Sequence, residues 1–269
     1  MALPSLTETV IESAPDGALG FDVNHPITAR QAKSARQAGF QFCVRYVPRL
    51  ELSLEPLGAP DITFNEANAI LDSGLSIVLV QHVSSAGWLA TGPKGLRFGK
   101  NAAIYAVNCG FPQIRNAAKR LNIFLDLEEV SSSSTAAEII DFCNEWFDAV
   151  DDAGFAPGVY VGSKNGLNAE QLFQKTAFQH YWHAASLADP PRPRQGDRGY
   201  QLNQPLTLSS SELAKLKDVK LLNPTAGNAF ECDLKFDDGQ IINDVDIDVT
   251  STDQKSGQLQ WLSRKIKSN

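Results

Sequence analysis

The sequence lacks the features that mark nucleic-acid, nucleotide and membrane proteins. Its 269 residues carry a formal net charge of −7, which disfavours polyanions and anionic membrane surfaces as partners. It contains neither a GxGxxG nor a P-loop motif, so a nucleotide has no support and we expect no cofactor. No apolar run approaches the ~20 residues of a membrane span. A neutral partner such as a glycan fits this charge better than nucleic acid does.

Cysteines are few and form no CxxC pair. Cys43 and Cys109 lie in apolar runs, a pattern that predicts buried free thiols rather than a disulfide scaffold and favours a reducing compartment. The N-terminus shows no basic region followed by the apolar stretch of a Sec signal. We therefore expect a protein that stays in the cytoplasm or leaves it by a non-classical route.

Strand-like and helix-like segments alternate along most of the chain. The predicted strands are 18–23, 40–47, 75–83, 122–130, 158–162, 177–185, 200–204 and 241–249. The predicted helices are 28–38, a helix capped by Thr63 and Glu66, 99–109 with a further turn at 113–120, 131–154, 165–175 and 209–217. This alternation predicts a parallel α/β sheet. Eight strands favour closure into a single (β/α)8 TIM-type barrel, with a doubly wound open sheet as the main alternative.

The barrel is predicted to span residues 18–250, between an N-terminal extension at 1–17 and a C-terminal tail at 251–269. Residues 205–240 break the alternation, and we interpret them as an insertion before the last strand, with a hairpin at Asp238-Gly239. The tail is polar, and a short helix is predicted around Trp261.

Carboxylic acids interrupt three apolar strands, although an unpaired charge in a buried strand is costly. They are Asp22 on the first strand, Asp126 and Glu128 on the fourth, and Asp244, Asp246 and Asp248 on the eighth. Because side chains alternate along a strand, Asp126 and Glu128 point the same way. The C-terminal strand ends line the mouth of such a barrel, so we expect the three groups to face one cavity.

Crowding in such a cavity raises some carboxyl pKa values. A protonated carboxyl beside an ionised one is what glycosidic cleavage needs. Two other interpretations of the acids stay open: they cap helices or face solvent, or the Asp run binds Ca²⁺. A zinc site would need three or four convergent ligands. His180 and His183 are predicted on opposite faces of one strand, so we expect no metal.

The motifs GFDVN, AGFQFCVRYV, FLDLEEV, AGFAPGVYVG, YWHAA and DVDIDV follow in this order. Over roughly residues 18–250, excluding much of 205–240, they resemble the DUF1906 family, the Rv2525c-like glycoside-hydrolase-like barrels related to the GH25 lysozymes. The resemblance implies a TIM-like barrel with a muramidase-type pocket. It places the family's acids on Asp22, Asp126 and Asp246, and its proton donor on Glu128.

Other side chains are predicted to bind substrate. They are Arg45, Tyr46, His82, Trp88, Tyr160, Trp182 and Gln204. Trp88 lies in a glycine-rich loop and is predicted to be an exposed platform for a sugar ring, with core packing as the alternative for each aromatic residue. Arg45 is expected to pair with Asp22 or with a substrate carboxylate.

The sequence thus favours a glycoside hydrolase-like protein that acts on peptidoglycan-type or related glycans. Glu128 is the candidate general acid, while Asp126, Asp22 and Asp246 stabilise charge or activate water. One alternative is a non-catalytic carbohydrate-binding barrel that retains the pocket, and another is a barrel that serves assembly or delivery in the cell. Catalysis itself stays open, because a fold transfers between relatives better than a reaction does.

Overall fold

The computed structural model describes residues 3–48, 61–82, 86–184, 191–225 and 231–265. Its strands are β1 (Thr9–Ser13), β2 (Leu19–Val23), β3 (Phe42–Val47), β4 (Ser76–Gln81), β5 (Asn122–Leu127), β6 (Ala156–Val161), β7 (His180–His183), β8 (Leu202–Asn203), β9 (Val219–Thr225), β10 (Glu231–Phe236), β11 (Ile241–Thr250) and β12 (Gln260–Arg264). Its helices are α1 (Ala29–Gln37), α2 (Phe64–Asp72), α3 (Gly92–Asn108), α4 (Ala136–Asp152) and α5 (Ser210–Leu213), with one π-helical turn at Gln171–Lys175.

Eight of these strands close into a barrel, as the α/β alternation predicts. Strands β2 to β8 pair in chain order and in parallel, and β11 closes the ring between β8 and β2. The eighth strand departs from a regular (β/α)8 barrel, because β11 runs antiparallel to both neighbours. The chain enters β11 from an antiparallel hairpin with β10, so it arrives at the mouth of the barrel instead of at the opposite end.

Aromatic rings fill the interior of the barrel. Phe42, Phe124 and Trp182 are at most 1% exposed and share one cluster with the aliphatic side chains of β3 and β4. Gly20 faces this cluster from β2. A Cβ atom at that position would lie 2.4 Å from the Phe42 ring. Gly20 therefore has no side chain at the point on β2 where the Phe42 ring of β3 packs.

The two ends of the described chain form a ribbon against the barrel. Strand β1 pairs with β12, and Leu262 on β12 pairs with Ile77 on β4. Trp261 packs on Phe42 in the barrel interior at 5.5 Å between ring centroids, while Leu262 packs in the outer core. The predicted helix around Trp261 is wrong, because these two adjacent apolar side chains serve opposite faces, as in a strand.

Helix α3 shows a second difference from the prediction. It begins at Gly92, seven residues before the predicted start at 99, with Pro93 in its first turn, where proline is tolerated. Gly95 and Gly99 lie against α4. Cβ atoms there would approach the carbonyl oxygens of Phe142 and Trp146 to 2.2 and 2.6 Å. Gly95, which the sequence places in a loop, and Gly99, at the predicted helix start, both permit close packing of α3 against α4.

Several smaller predictions are also changed by the structure. The turn at 113–120 is not helical, and the helix at 165–175 is reduced to the π-helical turn. The hairpin at Asp238-Gly239 is confirmed between β10 and β11. The predicted strand ends at Val83 and Ala185 lie outside the described residues.

All four cysteines are buried free thiols, which confirms the prediction for Cys43 and Cys109. Within the described ranges, no helix combines the length and the apolar character needed to traverse a bilayer.

The contact between β2 and the Phe42 ring gives a test of the barrel interior. Gly20→Ala should lower the free energy of unfolding by about 1–3 kcal/mol, because the added methyl group overpacks a filled core. Urea denaturation measures the change. In a Phe42→Leu background the same substitution should cost less, since the ring it meets is gone. An equal cost in both backgrounds would show that Gly20 is needed for another reason.

Candidate active site at the mouth of the barrel

The mouth of the barrel gathers most of the side chains singled out in the sequence. The C-terminal ends of the parallel strands and the first half of β11 contribute them. They are Asp22, Tyr46, His82, Asp126, Glu128, Tyr160, Gln204 and Asp246. Each comes from the interior-facing positions of its strand, or from the residues that follow the strand directly. Strand alternation alone therefore aims them into one hollow.

Asp22 is the most connected carboxyl group in this hollow. Its Oδ2 accepts a hydrogen bond from the Gln204 amide at 2.8 Å, and its Oδ1 accepts one from the Tyr46 hydroxyl at 3.3 Å. The Tyr160 hydroxyl donates to Gln204 at 3.1 Å. Burial raises the pKa of Asp22, and the neighbouring Asp246 raises it further. The network thus holds Asp22 in place while its surroundings favour the protonated form.

Asp246 lies directly opposite Asp22 across the antiparallel β11–β2 pair. This register depends on the reversed direction of β11, which brings the first half of the strand to the mouth. Burial raises the pKa of Asp246 to about 6, and Glu231 on β10 adds to the shift. Glu231 is not among the site residues predicted from the sequence, because it lies in the segment interpreted as an insertion.

Asp126 is buried on β5 and is held from one side. Its Oδ2 lies 2.6 Å from Nδ1 of His82, and its Oδ1 has no hydrogen-bond partner among the described residues. The His82 side chain is 37% exposed. Asp126 therefore has one oxygen anchored by His82 and one buried oxygen without a hydrogen-bond partner among the described residues.

Glu128 follows β5 directly and lies on the same side as Asp126. Burial raises its pKa from 4.5 to about 8, with the charge of Asp126 as the next cause. A Cβ atom at Gly162 would lie 2.3 Å from Cβ of Glu128, so the end of β6 packs closely against this side chain. Glu128 is thus a carboxylic acid that keeps its proton at neutral pH.

Glu129, the next residue, points away from the mouth, as the alternation predicts. Its carboxylate pairs with Lys164 at 2.7 Å and accepts a hydrogen bond from Ser163 at 2.8 Å. The hydrogen bond from Lys164 is the largest cause that lowers its pKa. Two neighbouring glutamates therefore have opposite environments, and only Glu128 faces the hollow.

Arg45 corrects one of the sequence predictions. It is fully buried and points out of the barrel toward α2, where its Nε lies 2.8 Å from Oε1 of Glu66. It does not reach Asp22, because it alternates with the inward-facing Tyr46 on β3. Glu66 binds Arg45 and the backbone N–H of Ile27, so the predicted reciprocal capping box with Thr63 is only half formed.

Two of the tryptophans also differ from the prediction. Trp88 is 8% exposed and packs on Phe142, so the expected exposed sugar platform is wrong. Its indole N–H donates to the carbonyl oxygen of Glu128 at 2.8 Å, which fixes the backbone that carries the candidate acid. Trp182 is 1% exposed in the barrel interior, below Tyr160.

Tyr46 and Tyr160 remain as the aromatic residues at the mouth, and both are only partly buried. Desolvation raises the pKa of each hydroxyl, and the nearby carboxyl groups add to the shift. Both therefore remain hydrogen-bond donors at any working pH. Among the described residues, no group of three His, Cys, Asp or Glu side chains is arranged to hold a metal ion.

The residues that surround the acids fall within a known sequence family. The family model described as Rv2525c-like, glycoside hydrolase-like domain matches residues 33–213. The chain belongs to this family. The match contains Asp126 and Glu128, whereas Asp22 and Asp246 lie on either side of it. No curated protein matches the sequence.

Solved structures share the fold at low sequence identity. An uncharacterized protein of B. stearothermophilus is 17% identical, with a TM-score of 0.54 over 87% of this chain and 96% of its own. The Tat-secreted protein Rv2525c of Mycobacterium tuberculosis, in complex with L-tartrate, is 15% identical. Its TM-score is 0.53 over 90% of this chain and 98% of its own. These similarities support the barrel fold and carry no information about the reaction at the site.

The raised carboxyl pKa values predict a stability that falls with rising pH. Glu128 and Asp246 hold protons in the folded state that the unfolded chain releases above their ordinary values of 4.5 and 3.8. Their contribution is complete below those values and is lost as the pH rises through about 6 and about 8. Urea denaturation should show at least about 1 kcal/mol of loss between roughly pH 5 and pH 9.

The variant Glu128→Gln should lose less stability over this range, since an amide cannot ionise. Glu129→Gln is the matched control, and its pH dependence should not become flatter than that of the wild-type protein. Parallel curves for Glu128→Gln and the wild-type protein would mean that Glu128 titrates normally.

Proposed function

We propose that the protein hydrolyses glycosidic bonds, with Glu128 as the general acid. The observation that carries this proposal is the pair formed by Glu128 and Asp126. The two side chains lie on one side of the chain at the end of β5, and the first is a half-buried acid that is neutral at neutral pH. Protonating the leaving oxygen is the step for which such an acid is needed. Membership of a glycoside hydrolase-like family agrees with this chemistry.

In this mechanism, Glu128 gives its proton to the glycosidic oxygen as the bond between that oxygen and the anomeric carbon breaks. Positive charge then develops on the sugar ring. Asp126 lies two residues before Glu128 on the same face, and its Oδ1 has no hydrogen-bond partner among the described residues. We assign to Asp126 the stabilisation of this charge, with His82 holding its other oxygen.

The pair of Asp22 and Asp246 lies on the other wall of the hollow. One of the two is the candidate base that takes a proton from the attacking water, since the pKa of Asp246, raised to about 6, still permits ionisation at neutral pH. Gln204 and the two tyrosine hydroxyls orient this wall. They also offer hydrogen bonds to sugar hydroxyl groups.

The proposed substrate class is a glycan of the peptidoglycan type or a related chitin-type oligomer. In the described part of the mouth, the one basic side chain that contacts these acids is His82, which is already bound to Asp126. A neutral sugar backbone therefore suits the hollow better than a polyanion does. Tyr46 and Tyr160 supply ring faces of the kind that pack on sugars.

The central test replaces the titrating carboxyl group of Glu128 with an amide. Glu128→Gln should lower kcat for release of reducing sugar from peptidoglycan or chitin oligomers by about 10²–10⁴-fold, the usual contribution of a general acid. Affinity for the oligomer, measured by calorimetry, should change little, because the amide has nearly the same shape.

Glu129→Gln is the control for this substitution, because Glu129 is adjacent in sequence and points away from the hollow. It should retain nearly full activity. Binding without turnover in the wild-type protein and both variants would support the alternative of a carbohydrate-binding barrel. Turnover that survives in Glu128→Gln would remove the assignment of the acid.

The pH dependence of hydrolysis gives a separate test of the same assignment. A general acid must be protonated to act, so kcat/KM should fall as the pH rises through about 8, the pKa of Glu128 in the free protein. Initial rates across this range measure the alkaline limb. A limb centred near pH 5 would mean that a different, unperturbed carboxyl supplies the proton.

A further inference from the structure

Strand β11 contains one more residue than β10 does where the hairpin approaches the barrel. In the β10–β11 register, Asp233 alone lies opposite both Asn243 and Asp244. Two residues that oppose one form a β-bulge, a feature that is common beside active sites. Asp244 has a φ of 49°, a left-handed conformation that non-glycine residues seldom adopt. The bulge is therefore built into the strand that carries Asp246.

The bulge decides the direction in which Asp246 points. Ile242 packs in the outer core, and strict alternation from Ile242 would place Asp246 on that same outer face. The extra residue changes this, because a slip of one residue turns every following side chain to the other face. Val245 and Ile247 therefore pack in the outer core instead, and Asp246 lies opposite Asp22 at the mouth.

The carboxylate of Asp233 holds this bulge from the neighbouring strand. Its Oδ1 accepts a hydrogen bond from the backbone N–H of Asp244 at 3.1 Å. A bulge leaves its extra residue out of the regular ladder, and a backbone N–H still needs an acceptor. Asp233 supplies that acceptor, so its side chain replaces the backbone carbonyl that a regular strand would offer.

Asp233 also contacts a second bulge, on the other side of β10. The β9–β10 register shifts beside Asn223, whose φ is 53°. The Asn223 amide donates a hydrogen bond to Oδ2 of Asp233 at 2.9 Å. One carboxylate thus binds both bulges, but only its bond to Asp244 acts on the strand that carries Asp246.

We propose that Asp233 is a positioning residue that fixes the β11 bulge and thereby aims Asp246 into the candidate active site. It acts through the backbone of Asp244 and takes no direct part in the reaction. Residues 246–249 remain paired with β2 whatever occupies position 233, so loss of Asp233 should loosen Asp246 without reversing the strand. The effect on turnover rests on the proposed function, whereas the orientation of Asp246 does not.

Three substitutions separate the hydrogen bond to Asp244 from the charge of Asp233. Asp233→Ala removes both, whereas Asp233→Asn removes the charge and keeps an oxygen atom that can accept the Asp244 N–H. Asn223→Gly removes only the bond on the β9 side, and glycine adopts a positive φ without strain.

Turnover should follow the bond to Asp244. Asp233→Ala should lower kcat for glycan oligomers by about tenfold or more, because misplacing a reacting group by about 1 Å can cost about 10²-fold. Asp233→Asn and Asn223→Gly should keep nearly the wild-type rate, since both retain an acceptor for the Asp244 N–H. Equal loss in Asp233→Ala and Asp233→Asn, or no loss in either, overturns the positioning role.

The pKa of Asp246 reports its orientation without any substrate. The titratable groups that interact with Asp246 are Glu231 and Cys232 on β10, Asp22 on β2, Tyr46 on β3, Asp248 on β11 and Glu128 after β5. All three variants leave these groups in place, so a change in the pKa of Asp246 reflects its own exposure to water.

NMR titration of the Asp246 carboxyl group measures this pKa. Burial raises it to about 6 in the wild-type protein, so it should fall toward the ordinary value of 3.8 in Asp233→Ala, where Asp246 is loosened into water. It should stay near its wild-type value in Asp233→Asn, which lacks the same charge. An unchanged pKa in Asp233→Ala, or an equal fall in both variants, contradicts the proposal.

Circular dichroism and thermal unfolding verify that each variant is folded. If alanine destabilises the hairpin, Asp233→Val takes its place, because valine suits a strand and offers no acceptor. A wild-type protein that hydrolyses no glycan would remove the proposed function, and the NMR titration would still decide the role of Asp233.

Discussion

The site depends on carboxyl groups that are removed from water and have no cations to pair with. Burial is the largest cause of the raised pKa at Asp22, Glu128, Asp246 and Asp248. Arg45, on the strand that pairs with that of Asp22, is committed to Glu66 on the outside of the barrel. Had it turned inward, it would have lowered the carboxyl pKa values and removed the neutral acid that the proposed chemistry requires.

The interior of the barrel keeps water away from the inner side of these carboxyl groups. Rings from three strands fill the interior beneath the acids, and the terminal ribbon adds Trp261 to them. Water is therefore excluded from the inner side of the carboxyl layer. The arrangement costs folding free energy, because each group would be more stable ionised in water. Such a local cost is common where a site is organised for function.

Much of the site could be predicted from the sequence because strand alternation is a strict rule. Once FLDLEEV is assigned as a strand, Asp126 and Glu128 must share a face, and Glu129 must take the other. The same rule aims Asp22 and Asp246 inward. It was misapplied at Arg45: the residue follows the inward Val44, so the alternation that placed Tyr46 in the mouth required Arg45 to point outward.

The features that escaped prediction depend on contacts between distant parts of the chain. The reversed direction of β11 follows from its hairpin with β10, and Glu231 reaches Asp246 only through that pairing. The start of α3 differs from the prediction for the same reason. Gly95 suggests a loop until the backbone of α4 is placed against it. Trp88 likewise suggests an exposed ring until Phe142 covers it.

The antiparallel eighth strand links the fold to the chemistry most directly. In a parallel strand, Asp248 would lie nearer the mouth than Asp246, because the chain would run outward. Reversal places Asp246 at the mouth beside Asp22 and sends Asp248 into the ring-filled interior. The two aspartates of one short motif thus acquire different depths, and depth decides which of them can exchange a proton with water. The direction of a single strand therefore decides which of the two aspartates lies at the mouth.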